Sequence, residues 1–266
     1  MQLTPTQVAQ FETDGYLFLP GLFTPAEMAV LNADVPRLLA LDRPEVIKEK
    51  GTNAPRSAFY VQTYSEPFRR LSLHPRLLEP GAQMLGSDQL YMHQFKINAK
   101  AAFDGAVWQW HQDYATWAAD DDMPAPLAMN IAVFLAEANE FNGPLMFIPG
   151  SHRRGKLAAG HDTTTTSYPL WTIDNETITR LVEAGGIVAP KGPPGSVLMF
   201  HGNLVHASGS NLSPWSRWIV YLSLNRCDNA IRRFTRASWI AHRDFTPLVP
   251  LADDCLLALA RQSAAE

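Results

Sequence analysis

The chain has 266 residues, of which 46% are hydrophobic and 18% charged, and its formal net charge is -4. That composition supplies enough apolar side chains for a sizeable core, and it predicts one domain over residues 1–266. With no run of about five or six like charges, and no apolar run near the roughly 18 residues that cross a bilayer, nucleic acid and membrane are excluded as partners and a small molecule is expected.

Two helices open the chain, and each carries its own start signal. "TPTQ" at Thr4 and "TPAE" at Thr24 put a capping threonine before a proline at the first helical position, with Gln or Glu at the third. Between them "DGYLFLP" predicts a turn and a short strand. The second helix is expected to bury Met28, Leu31, Val35 and Leu38 at helical spacing. A further helical stretch is expected over 75–84, weakened by Pro80 and Gly81. This is the helical part, about 1–89.

From about Leu90 to about residue 245 the chain changes to short runs rich in β-branched and aromatic residues, among them "LYMHQFKINAK", "LAMNIAVFL", "SVLMFH" and "RWIVYLSLN". Gly, Pro and Asn punctuate them, which predicts an antiparallel sandwich or barrel; helical patterns that would join parallel strands are scarce. The segment Arg154 to Ala184, with its "DTTTTS" run, is expected to be a long insertion of the kind that forms lids or binding loops. Cys227 and Cys255, the two cysteines, sit in no CxxC or Cys/His cluster. They imply no disulfide framework or structural zinc, and with no secretory pattern at the start the reading is cytoplasmic.

Within "QWHQDYATW" a histidine and a carboxylate stand two positions apart. On a strand, residues i and i+2 share a face, so His111 and Asp113 are expected to converge on one point. With a second, distant histidine they would form the two-His-one-carboxylate triad of non-haem Fe(II) oxygenases, which leaves three metal positions open. "FHGNLVHASGSN" offers His201 and His206 as that partner, and strand parity does not choose between them. Arg217 begins an apolar run; buried there, its guanidinium would require an anion with two oxygens.

These motifs bring a resemblance with them. The opening "LTPTQVAQFETDGYLFLPGLF", the strand "HQFKINAK", the core "WQWHQDYATWAADDDMP", the loop "NGPLMFIPGSH" and the stretch "HASGSNLSPWSR" together resemble the phytanoyl-CoA dioxygenase family of Fe(II)- and 2-oxoglutarate-dependent oxygenases, and within it the ectoine hydroxylase branch. The resemblance implies a mainly β fold, a cupin-like double-stranded β-helix or jelly roll flanked by N-terminal α-helices. It implies His111, Asp113 and His206 as iron ligands, which leaves His201 as a structural neighbour. Arg217, with Ser208, Asn98 and Trp108, would hold 2-oxoglutarate, and Gln94, Trp117, Asn130 and Tyr221 would face the substrate. The implied reaction is hydroxylation of an aliphatic carbon by O2, with release of succinate and carbon dioxide.

An intact carboxylate at Asp113 argues for hydroxylation over halogenation, since related halogenases carry Gly or Ala there. Gly143, Pro144, Pro149 and Gly150 are expected to be turn scaffold, and His152 and Arg153 a solvated loop. The sequence departs from the ectoine hydroxylase pattern at Gln112 and Ala115, and at Trp108, Tyr114 and Tyr221. These changes put the substrate in question between ectoine and a free amino acid or its derivative. Two other readings use the same residues: a cupin-like Zn(II) or Mn(II) isomerase or lyase, and a non-catalytic ligand-binding β-sandwich. "IRRFTR", over 231–236, is expected to be a solvated strand end or subunit contact, and the protein a monomer or homodimer.

Overall fold

The computed structural model describes residues 1–165 and 168–263. Both predicted helix starts form. In α1 (Pro5–Asp14) and α2 (Pro25–Asn32) the capping threonine accepts from the third amide of the helix, whose own side chain returns to the threonine N–H. The predicted short strand, β1 (Tyr16–Leu19), lies between them. The helix expected through Leu38 is broken: α2 ends at Asn32 and α3 (Val35–Leu39) follows. Pro36 has no N–H to offer a carbonyl four residues back, so the ladder cannot continue. All four apolar residues are buried nonetheless.

Next come β2 (Val46–Lys48), β3 (Pro55–Phe59), α4 (Glu66–Ser72) and α5 (Pro75–Leu85). The weakened helix therefore exists, with Pro80 inside it. Gly81 has a packing role there, because a Cβ would stand 2.6 Å from Leu224 Cδ1. The bare backbone lets α5 lie directly on the sheet.

The rest of the chain runs β4 (Leu90–Lys100), β5 (Trp108–His111), α6 (Asp113–Asp121), β6 (Ala128–Phe134), β7 (Leu145–Phe147), β8 (Gly160–Asp162), β9 (Leu170–Thr172), α7 (Asn175–Gly185), β10 (Val197–His201), β11 (His206–Ser208), β12 (Arg217–Arg226) and α8 (Cys255–Ser263). The strands form two antiparallel sheets, ordered β1-β10-β6-β12-β4-β3-β2 and β7-β11-β5-β9-β8. This is the expected jelly-roll layout with helices on the outside. The N-terminal part is not purely helical, since it supplies three of the seven strands of the larger sheet. No helix among the described residues is long and apolar enough to cross a membrane.

Pleating divides the large sheet cleanly. Phe95, Ile97, Met129, Ile131, Val220 and Leu222 face the helices, in one core with Phe11, Leu31, Leu71 and Leu77. Their sequence neighbours Ala132, Phe134, Ile219 and Tyr221 face the other way, toward Leu145 and Phe147 of the small sheet. The same alternation sends Gln94, Lys96, Asn98, Asn130, Arg217 and Tyr221 into a cavity between the sheets.

The insertion at 154–184 is more ordered than a loop: it holds β8, β9 and α7, and β9 joins the small sheet with Thr172 opposite His111. Thr166 and Ser167, the end of the "DTTTTS" run, lie outside the described residues.

Candidate active site

Antiparallel pairing of β11 with β5 sets His206 directly opposite His111. Their ring centroids are 4.1 Å apart. Asp113 completes the group, its carboxylate oxygens 3.6 Å from His111 Nε2 and 3.5 Å from His206 Nε2. One ligand atom from each of the three residues lies within 4.8 Å of the others, a spacing that can hold a metal ion. Each histidine's Nδ1 is turned to a backbone carbonyl, Gln109 O at 2.6 Å for His111 and Leu204 O at 3.0 Å for His206. That contact fixes Nδ1 as the donor and leaves the Nε2 lone pair facing the site. His201 is held elsewhere, its Nδ1 accepting from Asn203 N at 2.9 Å.

The route by which His111 and Asp113 converge differs from the expected shared strand face. β5 stops at His111, Gln112 is extended, and Asp113 is the first residue of α6. A strand-to-helix corner, fastened by Tyr114 N donating to Gly202 O at 2.9 Å, brings the carboxylate back to the imidazoles. Gln112 pins that corner: its Nε2 donates to Asn203 O at 2.6 Å and Gly155 O at 2.9 Å, and its Oε1 accepts from Leu157 N at 2.8 Å.

Burial alone would push the Asp113 carboxyl up; His206, His111 and Lys96 outweigh it and hold the group well below the ordinary carboxylate range. His206 is pushed down to about 4, by burial first and then by His111. Both directions favour the ligand forms, an ionised carboxylate and a neutral imidazole.

All eleven predicted site residues line this one cavity, which encloses about 640 Å³ including its open mouth. Arg217 is 1% exposed, and its Nε and Nη1 meet no hydrogen-bond partner among the described residues; the buried Ser208 Oγ beside it has none either. Unpaired buried donors of this kind fit a carboxylate from a ligand. Asn98 accepts from Ser57 Oγ at 2.8 Å, and Trp108 lies under the Arg56 guanidinium at 3.9 Å. Trp117 reaches the cavity while packing with Tyr114, Met123 and Ala128. Asn130, expected beside a substrate, donates from Nδ2 to Asp113 Oδ2 at 2.6 Å. Tyr221 sits beside Arg217, and burial pushes its hydroxyl up to about 12.

The chain therefore brings three residues spaced to hold a metal ion and a buried arginine with two nitrogens unpartnered among the described residues into one jelly-roll cavity. Residues 11–219 match the family model for phytanoyl-CoA dioxygenase (PhyH). The chain belongs to the phytanoyl-CoA dioxygenase family. Within that family it is 38% identical over 239 residues to the ectoine dioxygenase of Bordetella bronchiseptica, covering 86% of this chain and 77% of the relative. It is 33% identical over 257 residues to the L-proline trans-4-hydroxylase of Streptomyces griseoviridis, covering 93% and 96% respectively. The crystal structure of EctD from S. alaskensis with 2-oxoglutarate and 5-hydroxyectoine superposes with a TM-score of 0.83 at 34% identity, over 94% of this chain and 87% of that one.

The family resemblance did not reveal Lys96, Thr116, Tyr168 or Arg236, all of which line the cavity. Lys96 alternates with Gln94 and Asn98 along β4, so the strand pleat alone was enough to find it. Thr116 Oγ1 is buried without a partner among the described residues. Tyr168, from the insertion, stacks near Phe59 and Trp108 as part of the wall. Arg236 corrects the expectation for "IRRFTR": it reaches the cavity and forms a two-pronged ion pair with the buried Asp121, while Arg232 and Arg233 are exposed. Its position depends on a loop fold that no local pattern announces. His152 packs against His201 and hydrogen-bonds Glu12 O, so it turns toward α1.

Proposed function

We propose that this protein is an Fe(II)- and 2-oxoglutarate-dependent dioxygenase that hydroxylates an aliphatic carbon of a small zwitterionic metabolite, ectoine or a cyclic amino acid such as L-proline. The observation that carries the reading is the pairing of the His111, Asp113 and His206 cluster with the buried Arg217, whose Nε and Nη1 have no partner among the described residues, across one cavity. His111, Asp113 and His206 would hold the iron on one side. Iron, when bound, supplies the oxidative chemistry in which 2-oxoglutarate and O2 become succinate and carbon dioxide, one oxygen atom passing to the substrate.

The chain's own residues place the reactants and keep water out. Arg217 grips the far carboxylate of 2-oxoglutarate, with Ser208, Asn98 and Trp108 completing that end. Lys96 brings a positive charge to the substrate end, which suits a substrate carboxylate, while Arg236 is already paired with Asp121. Burial lowers the Lys96 ammonium to about 8, partly offset by Asp113. Gln94 and Trp117 give that end an amide and an aromatic face for a small cation. The dioxygenase relatives count against a zinc or manganese isomerase and against a non-catalytic binding module. The catalytic unit is read as one domain over 1–266, cytoplasmic, acting as a monomer or homodimer.

The test is mass spectrometry of ectoine and of L-proline, each incubated with the protein, Fe(II), 2-oxoglutarate and air, with succinate followed in the same tube. One compound is expected to gain a single oxygen in step with succinate. Slow succinate formation with both compounds untouched would retain the dioxygenase and reject both substrates. Absence of succinate under every condition would reject the enzyme.

A further inference from the structure

We propose that Asn130 is a positioning residue for Asp113: a Ser223–Asn130 relay on the floor of the sheet fixes the plane of the carboxylate that holds the metal. The inference rests on the iron-site reading above and assigns to Asn130 a task other than substrate contact. Asn130 is 2% exposed and Ser223 1% exposed, so both are buried in the sheet. Asn130 Nδ2 donates to Asp113 Oδ2 at 2.6 Å, and Asn130 Oδ1 accepts from Ser223 Oγ at 2.5 Å.

The orientation of the amide is dictated by chemistry. An ionised carboxylate only accepts, so the edge of Asn130 facing Asp113 must be its NH2 group. Its oxygen then faces Ser223, whose hydroxyl must be the donor. The chain of donation has one sense, toward Asp113.

Strand register builds the relay. Ser223 on β12 stands directly opposite Asn130 on β6, and on its other side opposite Gln94 on β4. Between Ser223 and Leu224 the β12–β4 ladder slips by a bulge. Bulges beside active sites re-aim a side chain, and here the irregularity falls at the residue that aims the amide. Without the relay, Asp113 is free to turn about its Cβ–Cγ bond. It stands at the first position of α6, where the other side chains facing its carboxylate are the two histidines that would share the metal. Removing a hydrogen-bond partner of a metal ligand typically weakens metal affinity about 10- to 100-fold.

The experiment compares wild type with Asn130→Ala, the isosteric Asn130→Asp and the milder Ser223→Ala, all checked for native melting. Co(II) affinity is measured by titration without oxygen, the visible band of the anaerobic Fe(II)–2-oxoglutarate complex is recorded, and the substrate KM is taken at saturating iron. Co(II) is expected to bind about 10- to 100-fold more weakly to Asn130→Ala. Asn130→Asp, which sets a like charge against Asp113, should be at least as weak, and Ser223→Ala a few-fold weaker than wild type. The anaerobic band should shift or fade in the same order, with the substrate KM little changed. Unchanged Co(II) affinity in Ser223→Ala and in every folded Asn130 variant, with a raised substrate KM, would overturn the role and return Asn130 to the substrate. A wild-type protein that binds no Co(II) or Fe(II) would instead overturn the iron-site reading, and the relay with it.

Discussion

A guanidinium carries donors on three nitrogens, and two of those on Arg217 lack a partner among the described residues although the residue is 1% exposed. Leaving a charged group so in a finished core is unfavourable, because a buried donor without an acceptor forfeits its hydration. Tyr221 takes part of the demand, and Lys100, close by, is turned away to donate to Ala106 O at 2.6 Å. The remaining fork is shaped for a carboxylate. Arg217→Ala is therefore expected to raise the 2-oxoglutarate concentration for half-maximal rate about 10- to 100-fold, the loss of one or two charge-assisted hydrogen bonds, with the saturated rate less affected. Steady-state succinate formation against 2-oxoglutarate concentration measures this, and an unchanged requirement would make Arg217 a structural residue. Arg217 was legible in the sequence because a cation opening an apolar strand is anomalous by itself. Arg236 was not, because its partner Asp121 stands 115 positions away and its own neighbours look like solvated surface.

At the scale of elements, the helices with a capping threonine and the strands with clean alternation could be read directly from the chain. The corner between β5 and α6 could not. Gln112 offers no side-chain cap to α6, so the usual start signal is missing, and a short apolar and aromatic run of this kind suits a strand as well as a helix. The buried residues Tyr114, Trp117 and Asp121 fall at helical spacing and carried the overlooked signal. What decides the corner is tertiary: Gln112 spends both ends of its amide on Gly155, Leu157 and Asn203. Gln112→Leu keeps the volume but leaves those three backbone groups without partners. It is expected to lower stability by about 2–4 kcal/mol, at roughly 1 kcal/mol or more for each unpaired buried group. Because the corner also aims Asp113, metal affinity should fall with it. Chemical denaturation of the apo-protein checks the first effect, and a variant as stable as wild type would show that the corner stands without this amide.

For the whole molecule, several histidines are built into the fold as neutral groups. His74 is lowered to about 4, by burial first and then by Arg76; His201 to about 4, by burial and His152; and His242 to about 3, by burial and His93. Hydrogen bonding supports two of these: His74 Nδ1 accepts from Arg76 N at 3.2 Å and His201 Nδ1 from Asn203 N at 2.9 Å. A backbone N–H cannot reverse its role, so a proton on either Nδ1 breaks the contact. In the unfolded chain these imidazoles titrate near 6.5. Between about 6.5 and 4 the unfolded chain takes up protons that the folded chain refuses, so stability rises with pH across that window and is lost as pH falls through it. Below about 4 the carboxylates held low in the fold, Asp34, Glu27 and Asp121 among them, add a loss in the same direction. Urea unfolding of the apo-protein is expected to show a stability a few kcal/mol lower at pH 5.0 than at pH 7.5. His201→Gln should flatten part of that slope, since its amide oxygen can accept from the Asn203 amide without titrating. A stability that stays level between the two pH values would mean that these imidazoles find protons, or water, that the packed fold denies them.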